Sequence, residues 1–267
     1  MKVEAGAIWA DVVKIREEAP LIHNITNYVV MNSTANALLA LGASPVMAHS
    51  EEEAADMVKI ARSLVINIGT LSPAWVRAMG KAAAQAKEQG VPVILDPVGA
   101  GATPYRSRTA RELLSGGGAY IIRGNASEIR ALVESGATTK GVDSTSAAED
   151  SIRAARELAR AHRCTVCVSG ATDYIITGEH TIKVLNGHPM MPRVTGLGCT
   201  ASALCGAFAA VNRSPHLAAA HAMAVMGIAG EIAAEQASGP GSLQLHFIDA
   251  LYNLSLEQIE RKLRVES

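Results

Sequence analysis

Four short apolar segments that alternate with helical patterns are the feature that most constrains the fold. SLVINIG, PVILDP, AYIIRGN and RCTVCVSG are continuous apolar runs of the kind that form strands buried on both faces of a sheet. The helical patterns between and around them cover residues 51–62, 72–89, 107–114, 127–136 and 143–161. This alternation predicts one α/β domain over residues 1–267, with a mostly parallel central sheet and helices on both faces.

Weaker patterns complete the expected fold on either side of this alternation. DYIITG and TIKVLNG predict an antiparallel hairpin that turns at Gly178 and Glu179, at one edge of the sheet. We expect the C-terminal tail, KLRVES, to be solvated. The other predicted elements are helices over residues 1–20, 30–41, 216–237 and 243–261, and a short strand over residues 44–48.

Charge and cysteine usage exclude several classes of partner. A formal net charge of -1 gives no electrostatic reason to expect nucleic acid or an acidic membrane as a partner. The first 20 residues lack the features of a signal peptide, and no uninterrupted apolar run reaches the length of a membrane span. The four cysteines do not form the framework of a small secreted domain. We therefore expect a cytoplasmic protein that binds a small ligand.

A glycine loop directly precedes an apolar helix in residues 192–210, PRVTGLGCTASALCGAFAA. Gly196 and Gly198 allow positive φ and let a ligand approach the main chain. The free N–H groups at the start of the helix bind phosphate or developing negative charge well. Cys199 lies at this helix start, so we expect the helix dipole to lower its thiol pKa and make it a proton acceptor. The alternative is that Cys199 is a small buried side chain.

Polar residues follow three of the predicted strands. Asp96 ends one strand, Arg123 and Glu128 lie around the end of the next, and Ser169 ends a third. In a parallel sheet these ends share one edge, where open α/β sheets bind ligands. Arginine binds phosphate, and carboxylates bind Mg²⁺. These groups, together with the glycine loop, are the parts that phosphoryl transfer requires. The chain contains no G-x-x-x-x-G-K-[ST] motif, which excludes a P-loop enzyme.

Several of these features also allow a purely structural interpretation. Asp96 can cap the next turn, and Asn125 or Ser127 can cap the following helix with Glu128 in its first turn. The polar segment HNITN at residues 23–27 can either cap a helix or bind a polar ligand. The C-x-x-C motif in RCTVCVSG lies on a predicted strand, which disfavours a redox or zinc site.

The chain resembles the hydroxyethylthiazole kinases, within the ribokinase-like fold, over essentially its whole length. The resemblance rests on HNITNYVVMN, ALGASPVMA, VINIGTL, LDPVGAG, IRGNASEI and TGLGCTASAL, in the order and spacing of that family. It implies phosphorylation of the hydroxyl of 4-methyl-5-(2-hydroxyethyl)thiazole by ATP with Mg²⁺, in thiamine biosynthesis or salvage. The alternatives are a ribokinase-like kinase of another small alcohol, such as a hydroxymethylpyrimidine or a pyridoxal-like compound, a thiol redox protein, or a non-catalytic nucleotide sensor.

The resemblance also implies a role for each candidate site residue. Cys199 stands where the wider ribokinase-like group usually places an aspartate that acts as base. The family often has threonine at the position of Ser169, so the hydroxyl is retained here. A homotrimer with active sites at subunit boundaries is implied by the same likeness. The implied roles are substrate contacts for Met47 and Gly196, ATP contacts for Arg123 and Ser169, and magnesium carboxylates for Asp96 and Glu128.

Overall fold

A computed structural model describes residues 3–133, 144–178 and 180–267. Within them one sheet has nine strands in the order β2-β1-β3-β4-β5-β6-β7-β8-β9. Pairs from β2 through β6 are parallel, and the three pairs from β6 to β9 are antiparallel. The strands are β1 (Leu21–Ile25), β2 (Ser44–Val46), β3 (Ser63–Asn67), β4 (Val93–Asp96), β5 (Ile121–Asn125), β6 (Thr165–Ser169), β7 (Asp173–Thr177), β8 (His180–Val184) and β9 (Val265–Glu266).

Helices cover both faces of this sheet. They are α1 (Ala5–Glu18), α2 (Met31–Leu41), α3 (Ala54–Ile60), α4 (Pro73–Gln89), α5 (Pro104–Gly117), α6 (Ala126–Val133), α7 (Ser144–His162), α8 (Leu197–Val211), α9 (Pro215–Gln236), α10 (Pro240–Tyr252) and α11 (Leu256–Lys262). One apolar core joins α1, α2 and α8–α11 to the sheet, and a second joins α3–α7 to its other face. The predicted α/β class, with a mostly parallel sheet between helices, is confirmed.

Alternating side chains of the central strands enter the two cores. On β3, Val65 belongs to the core under α8, whereas Leu64 and Ile66 belong to the core under α4. The continuous apolar run predicted this, since a strand covered on both faces needs apolar residues at every position. Close packing of α8 relies on Gly206, where a Cβ atom would lie 2.6 Å from Val65 Cγ2.

Helix α9 is a long apolar helix on this side of the sheet. Among the described residues it is the single helix long and apolar enough to cross a membrane by length and composition. Of the apolar stretch of α9, 89% is buried inside the protein. A helix of a protein core can have the same length and composition as a membrane span.

One expectation for the C-terminal region is wrong, and another is incomplete. The helix expected over residues 243–261 is two helices, because Ser255 begins α11 by accepting a hydrogen bond from Gln258 N–H. The tail expected to be solvated is exposed or partly exposed throughout, but Val265 and Glu266 also pair with β8 as β9, and Leu185 N–H donates to Arg264 O. The helix end expected near Gly136, the helix start at Asp143 and the turn residue Glu179 lie outside the described residues.

Candidate active site

The carboxyl ends of the parallel strands meet the start of α8 at one edge of the sheet. Gly196 is the N-cap of α8 and has a φ of 86°. A Cβ atom at this position would lie 2.6 Å from Val30 Cγ1, so the turn needs glycine for its conformation and for its space. Because glycine has no side chain to cap the helix, the first N–H groups of α8 are available to an anion.

Cys199 does not have the lowered pKa that its place at a helix start led us to expect. Burial raises the pKa of the Cys199 thiol above its ordinary value, and the charge of Asp96 acts in the same direction. Hydrogen bonds from Asn67 and Asn27 lower the pKa but do not reverse the net shift. At this position desolvation therefore outweighs the helix dipole, and the side chain is a thiol near neutral pH.

A buried chain of amides connects Cys199 to Asp96. Asn27 Nδ2 lies 3.5 Å from Cys199 Sγ and donates to Asn67 Oδ1 at 2.8 Å. Asn67 Nδ2 in turn donates to Asp96 Oδ2 at 2.8 Å. Asn67 and Asp96 are register partners on β3 and β4, so both strands end in a polar side chain at the same level. Within the HNITN segment, Asn27 is thus a site residue, and Val30 rather than an HNITN residue is the N-cap of α2.

Asp96 is 1% exposed and is held by two side chains. Ser202, from the second turn of α8, donates to Asp96 Oδ2 at 2.7 Å, as Asn67 does at 2.8 Å. Burial raises the pKa of Asp96 to about 7, although Arg123 and these hydrogen bonds oppose the shift. Asp96 is therefore a buried site residue that binds α8 to the sheet.

Arg123 connects β5 to the glycine loop. Its Nη1 donates to Gly198 O at 2.9 Å, and a Cβ atom at Gly198 would lie 3.0 Å from the same nitrogen. Burial alone would lower the pKa of Arg123, but Asp96 and other neighbours raise it overall, so the guanidinium stays charged. On the next strand, Ser169 Oγ donates to Gly124 O at 3.3 Å.

Glu128 and Asn125 cap the start of α6 reciprocally. Asn125 Oδ1 accepts from Glu128 N–H at 2.9 Å, and Glu128 Oε2 accepts from Asn125 N–H at 2.8 Å. Glu128 Oε1 also accepts from Gly99 N–H at 2.8 Å, which fixes the loop after β4. The capping interpretation of Glu128 is confirmed, and its carboxylate still faces the same edge of the sheet as Asp96, whose pKa its charge raises.

A cavity of about 770 Å³ opens beside the glycine loop. Arg123, Ser169, Gly196 and Gly198 line it on the side of the sheet. The rest of its lining is largely apolar and includes Pro189, Met191, Val194, Met223 and Met226, together with the acidic residue Asp173. The cavity thus combines a cationic, amide-rich end with an apolar end, as a ligand with both anionic and apolar parts would need.

Met47 is the predicted site residue that lies furthest along the sheet. It follows the edge strand β2, and β1 and β3 separate that strand from β4. His23 Nε2 lies 2.7 Å from Ala48 O, which fixes the segment after β2 against β1. The structure therefore brings Asp96, Arg123, Glu128, Ser169, Gly196 and Cys199 together and places Met47 at the neighbouring edge strand.

Sequence reasoning missed Asn67, Ser202 and an aromatic cluster beside the segment that follows β2. The rings of Tyr28 and His49 pack on Trp75 with centroids 4.7 and 4.5 Å away. A usable signal existed for Asn67, because it ends the run SLVIN as Asp96 ends VILD. The aromatic cluster had no such signal, since its three residues come from separate segments of the chain.

Comparisons of this chain with known proteins, by sequence and by structure, indicate one family. A sequence model of the hydroxyethylthiazole kinase family matches residues 12–257. The hydroxyethylthiazole kinase of Syntrophus aciditrophicus strain SB is 64% identical over 267 residues, which cover 99% of this chain and 98% of that protein. The structure of a hydroxyethylthiazole kinase from Pyrococcus horikoshii OT3 superposes with a TM-score of 0.90 at 46% identity, covering 98% of each chain. A ribokinase-like superfamily protein from Enterococcus faecalis V583, 15% identical with a TM-score of 0.60 over 86% of each chain, shares the fold.

Proposed function

The chain belongs to the hydroxyethylthiazole kinase family, and from this premise we propose that it phosphorylates the primary hydroxyl of 4-methyl-5-(2-hydroxyethyl)thiazole with ATP, in thiamine biosynthesis or salvage. The observation that carries the proposal is the glycine-capped start of α8 beside the partly buried cation Arg123. Phosphoryl transfer is mostly positioning and stabilisation of charge. The free amides of α8 and the guanidinium supply both at one point.

We place the nucleotide in the 770 Å³ cavity. Its phosphates would lie toward Arg123, Ser169 and the start of α8, where amides and a guanidinium bind anions. Its base would lie toward the apolar side formed by Met191, Met223 and Met226. The thiazole alcohol would lie on the other side of α8's start, against Gly196 and toward Met47, with its hydroxyl near Cys199.

Asp96 and Glu128 fit a role as the carboxylates near Mg²⁺. Among the described residues no group of three or more His, Cys, Asp or Glu side chains is arranged to hold a metal ion. Mg²⁺ needs only one or two protein carboxylates when phosphates and water complete its coordination. The charge of Glu128 raises the pKa of Asp96, so the two carboxylates repel each other and a divalent cation would relieve that repulsion. When bound, Mg²⁺ would neutralise charge on the transferred phosphoryl group.

Cys199 is a weak proton acceptor in this arrangement. Its raised pKa keeps the sulfur protonated near neutral pH, and Asn27 Nδ2 faces the sulfur at 3.5 Å. We therefore assign Cys199 a place beside the substrate hydroxyl and most of the rate to the helix amides, Arg123 and the metal ion.

We also propose a cytoplasmic homotrimer with active sites at subunit boundaries. Exposed apolar side chains next to the site support a subunit contact there: Tyr28 is 67% exposed and Val29 62% exposed, and both directly follow Asn27. The free thiols of all four cysteines are in keeping with a reducing compartment. Light scattering on the purified protein tests the trimer.

The rival assignment is a ribokinase-like kinase of another small alcohol. A coupled assay of ADP release, run on a panel of the thiazole alcohol, a hydroxymethylpyrimidine and pyridoxal, separates the two. We expect the highest kcat/KM with the thiazole alcohol and a monophosphate product by mass spectrometry. A higher kcat/KM with either of the other alcohols would refute the assignment.

The metal proposal has its own variants and a matched control. Asp96→Asn and Glu128→Gln should raise the Mg²⁺ concentration needed for half-maximal rate by about tenfold, the loss expected for one charged ligand. Asp11→Asn is the control, because Asp11 accepts from Asn212 Nδ2 just beyond the opposite end of α8. Unchanged Mg²⁺ dependence in both site variants would contradict the metal role.

A further inference from the structure

Part of the apolar side of the nucleotide cavity comes from an irregular segment, residues 185–193, between β8 and the glycine loop. Gly187 has a φ of 137°, and the segment ends in a 3₁₀ turn over Met191–Arg193. Because irregular backbone lacks the hydrogen bonds of a helix or a strand, side chains must satisfy its polar groups. What fixes this segment therefore fixes the shape of the cavity.

Asn186 is the centre of those hydrogen bonds. It is 5% exposed, and its Nδ2 donates to Glu231 Oε1 at 3.0 Å and to Lys262 O at 2.7 Å. Its Oδ1 accepts from Arg264 N–H at 2.9 Å. These partners determine which way the amide faces, since the nitrogen meets only acceptors and the oxygen meets a donor.

Glu231, on α9, is a second centre of these hydrogen bonds. Its Oε1 also accepts from Gly187 N–H at 2.8 Å and from Arg264 Nη2 at 2.7 Å. Arg264 Nη2 in addition donates to Leu185 O at 3.0 Å. The carboxylate is 11% exposed, whereas the Arg264 side chain is 50% exposed, so solvent screens this ion pair in part.

Packing keeps the segment in contact with α9. A Cβ atom at Gly227 would lie 2.6 Å from the backbone carbon of Asn186, and one at Gly230 would lie 2.3 Å from Met191 Sδ. Gly227 and Asn186 both line the cavity. A change in the hydrogen bonds of Asn186 must therefore move the cavity wall, because no space separates the wall from the helix behind it.

We propose that Asn186 is a positioning residue for the nucleotide, and that the C-terminal residues Lys262 and Arg264 set the shape of the cavity through it. The inference rests on the proposed function in one respect, the assignment of this cavity to ATP. It gives the last residues of the chain a role in nucleotide affinity, although Arg264 is absent from the cavity lining.

The test compares nucleotide affinity with alcohol affinity in three variants. Asn186→Leu removes three hydrogen bonds and keeps the branched shape of the side chain, and Arg264→Met removes the guanidinium but keeps the Asn186 pair with Glu231. Lys183→Met is the matched control. Lys183 Nζ donates to Glu266 Oε2 at 2.9 Å on the surface, so this variant also removes a cation that links β8 to β9. Calorimetry with ADP gives Kd, coupled kinetics give KM for ATP and for the thiazole alcohol, and thermal unfolding shows that each variant is folded.

We expect Asn186→Leu to raise the ADP Kd and the ATP KM about tenfold, and Arg264→Met to raise both about threefold. Changes of this size correspond to the net contribution of one or two hydrogen bonds. The KM for the alcohol should stay within about twofold, and Lys183→Met should change none of these constants. Wild-type ADP affinity in the folded variants, or an equal rise in both KM values, would overturn the inference alone. If Asn186→Leu does not fold, Arg264→Met decides by the same criteria. Failure of the unmodified protein to bind ADP would overturn the nucleotide assignment and this inference together.

Discussion

Replacing Gly196 with alanine should disturb the start of α8 in two ways. Its φ of 86° lies in the left-handed region, where a residue with a side chain costs roughly 1–2 kcal/mol. The new Cβ atom would also lie 2.6 Å from Cγ1 of Val30, which is 2% exposed and cannot easily move. Overpacking of that kind typically costs about 1–3 kcal/mol. We therefore expect Gly196→Ala to lower the free energy of unfolding by about 2–5 kcal/mol.

A comparison with Gly90→Ala separates the cost of overpacking from the cost of backbone strain. Gly90 caps α4 with a φ of 68°, and nothing lies within 4 Å of its added Cβ atom, so only the backbone strain applies. Urea unfolding should place Gly196→Ala below Gly90→Ala by about 1–3 kcal/mol. Because a shift of about 1 Å in positioned groups can cost about a hundredfold in rate, kcat/KM should fall strongly in Gly196→Ala and stay near wild type in Gly90→Ala. Equal unfolding free energies and equal kcat/KM in the two variants would refute the packing argument.

Two further predictions concern Cys199 and Asp173. Cys199→Ala should keep measurable kinase activity and Cys199→Asp should keep or raise it, because a positioned base supplies about 10²–10⁴-fold of the rate and this thiol is a poor one; complete loss of kcat in both folded variants would contradict this. Burial raises the pKa of Asp173 from 3.8 to about 6, so this carboxyl costs stability as the pH rises from about 4 to about 6. In urea unfolding, the free energy of unfolding of Asp173→Asn should be about 3 kcal/mol higher than that of the wild type at pH 8 and equal to it near pH 3. A difference between the two free energies that stays constant across this pH range would count against the raised pKa.

The sequence predicted the sheet because its strands must be apolar at every position. Runs such as SLVIN and VILD are typical of the middle of a sheet that is covered on both faces. The same rule predicted that the residues ending these strands share an edge, so Asp96, Arg123 and Ser169 were identified from their positions alone. Family likeness supplied their individual roles, which the pattern of residues could not.

Features that depend on contacts across the chain could not be predicted in this way. The tail KLRVES has too few apolar residues to indicate a strand, and β9 forms because β8 leaves an edge that Val265 and Glu266 can pair with. Asn186 gave no signal, since its three partners come from α9 and from the C-terminal residues. The break between α10 and α11 did carry a signal, the capping box from Ser255 to Gln258.

The corrected state of Cys199 also bears on how the reaction can proceed. A helix start lowers a thiol pKa only if the sulfur remains solvated or meets a cation, and here burial and the charge of Asp96 raise it instead. A thiol that holds its proton cannot activate the substrate alcohol strongly. Phosphoryl transfer through a loose transition state builds little charge on the attacking oxygen, so a strong base is not required. We propose that the groups that matter are those that would meet the transferred phosphoryl oxygens, the amides after Gly196 and the guanidinium of Arg123. On that proposal, a cysteine can stand at the position where the resemblance places an aspartate in the wider ribokinase-like group.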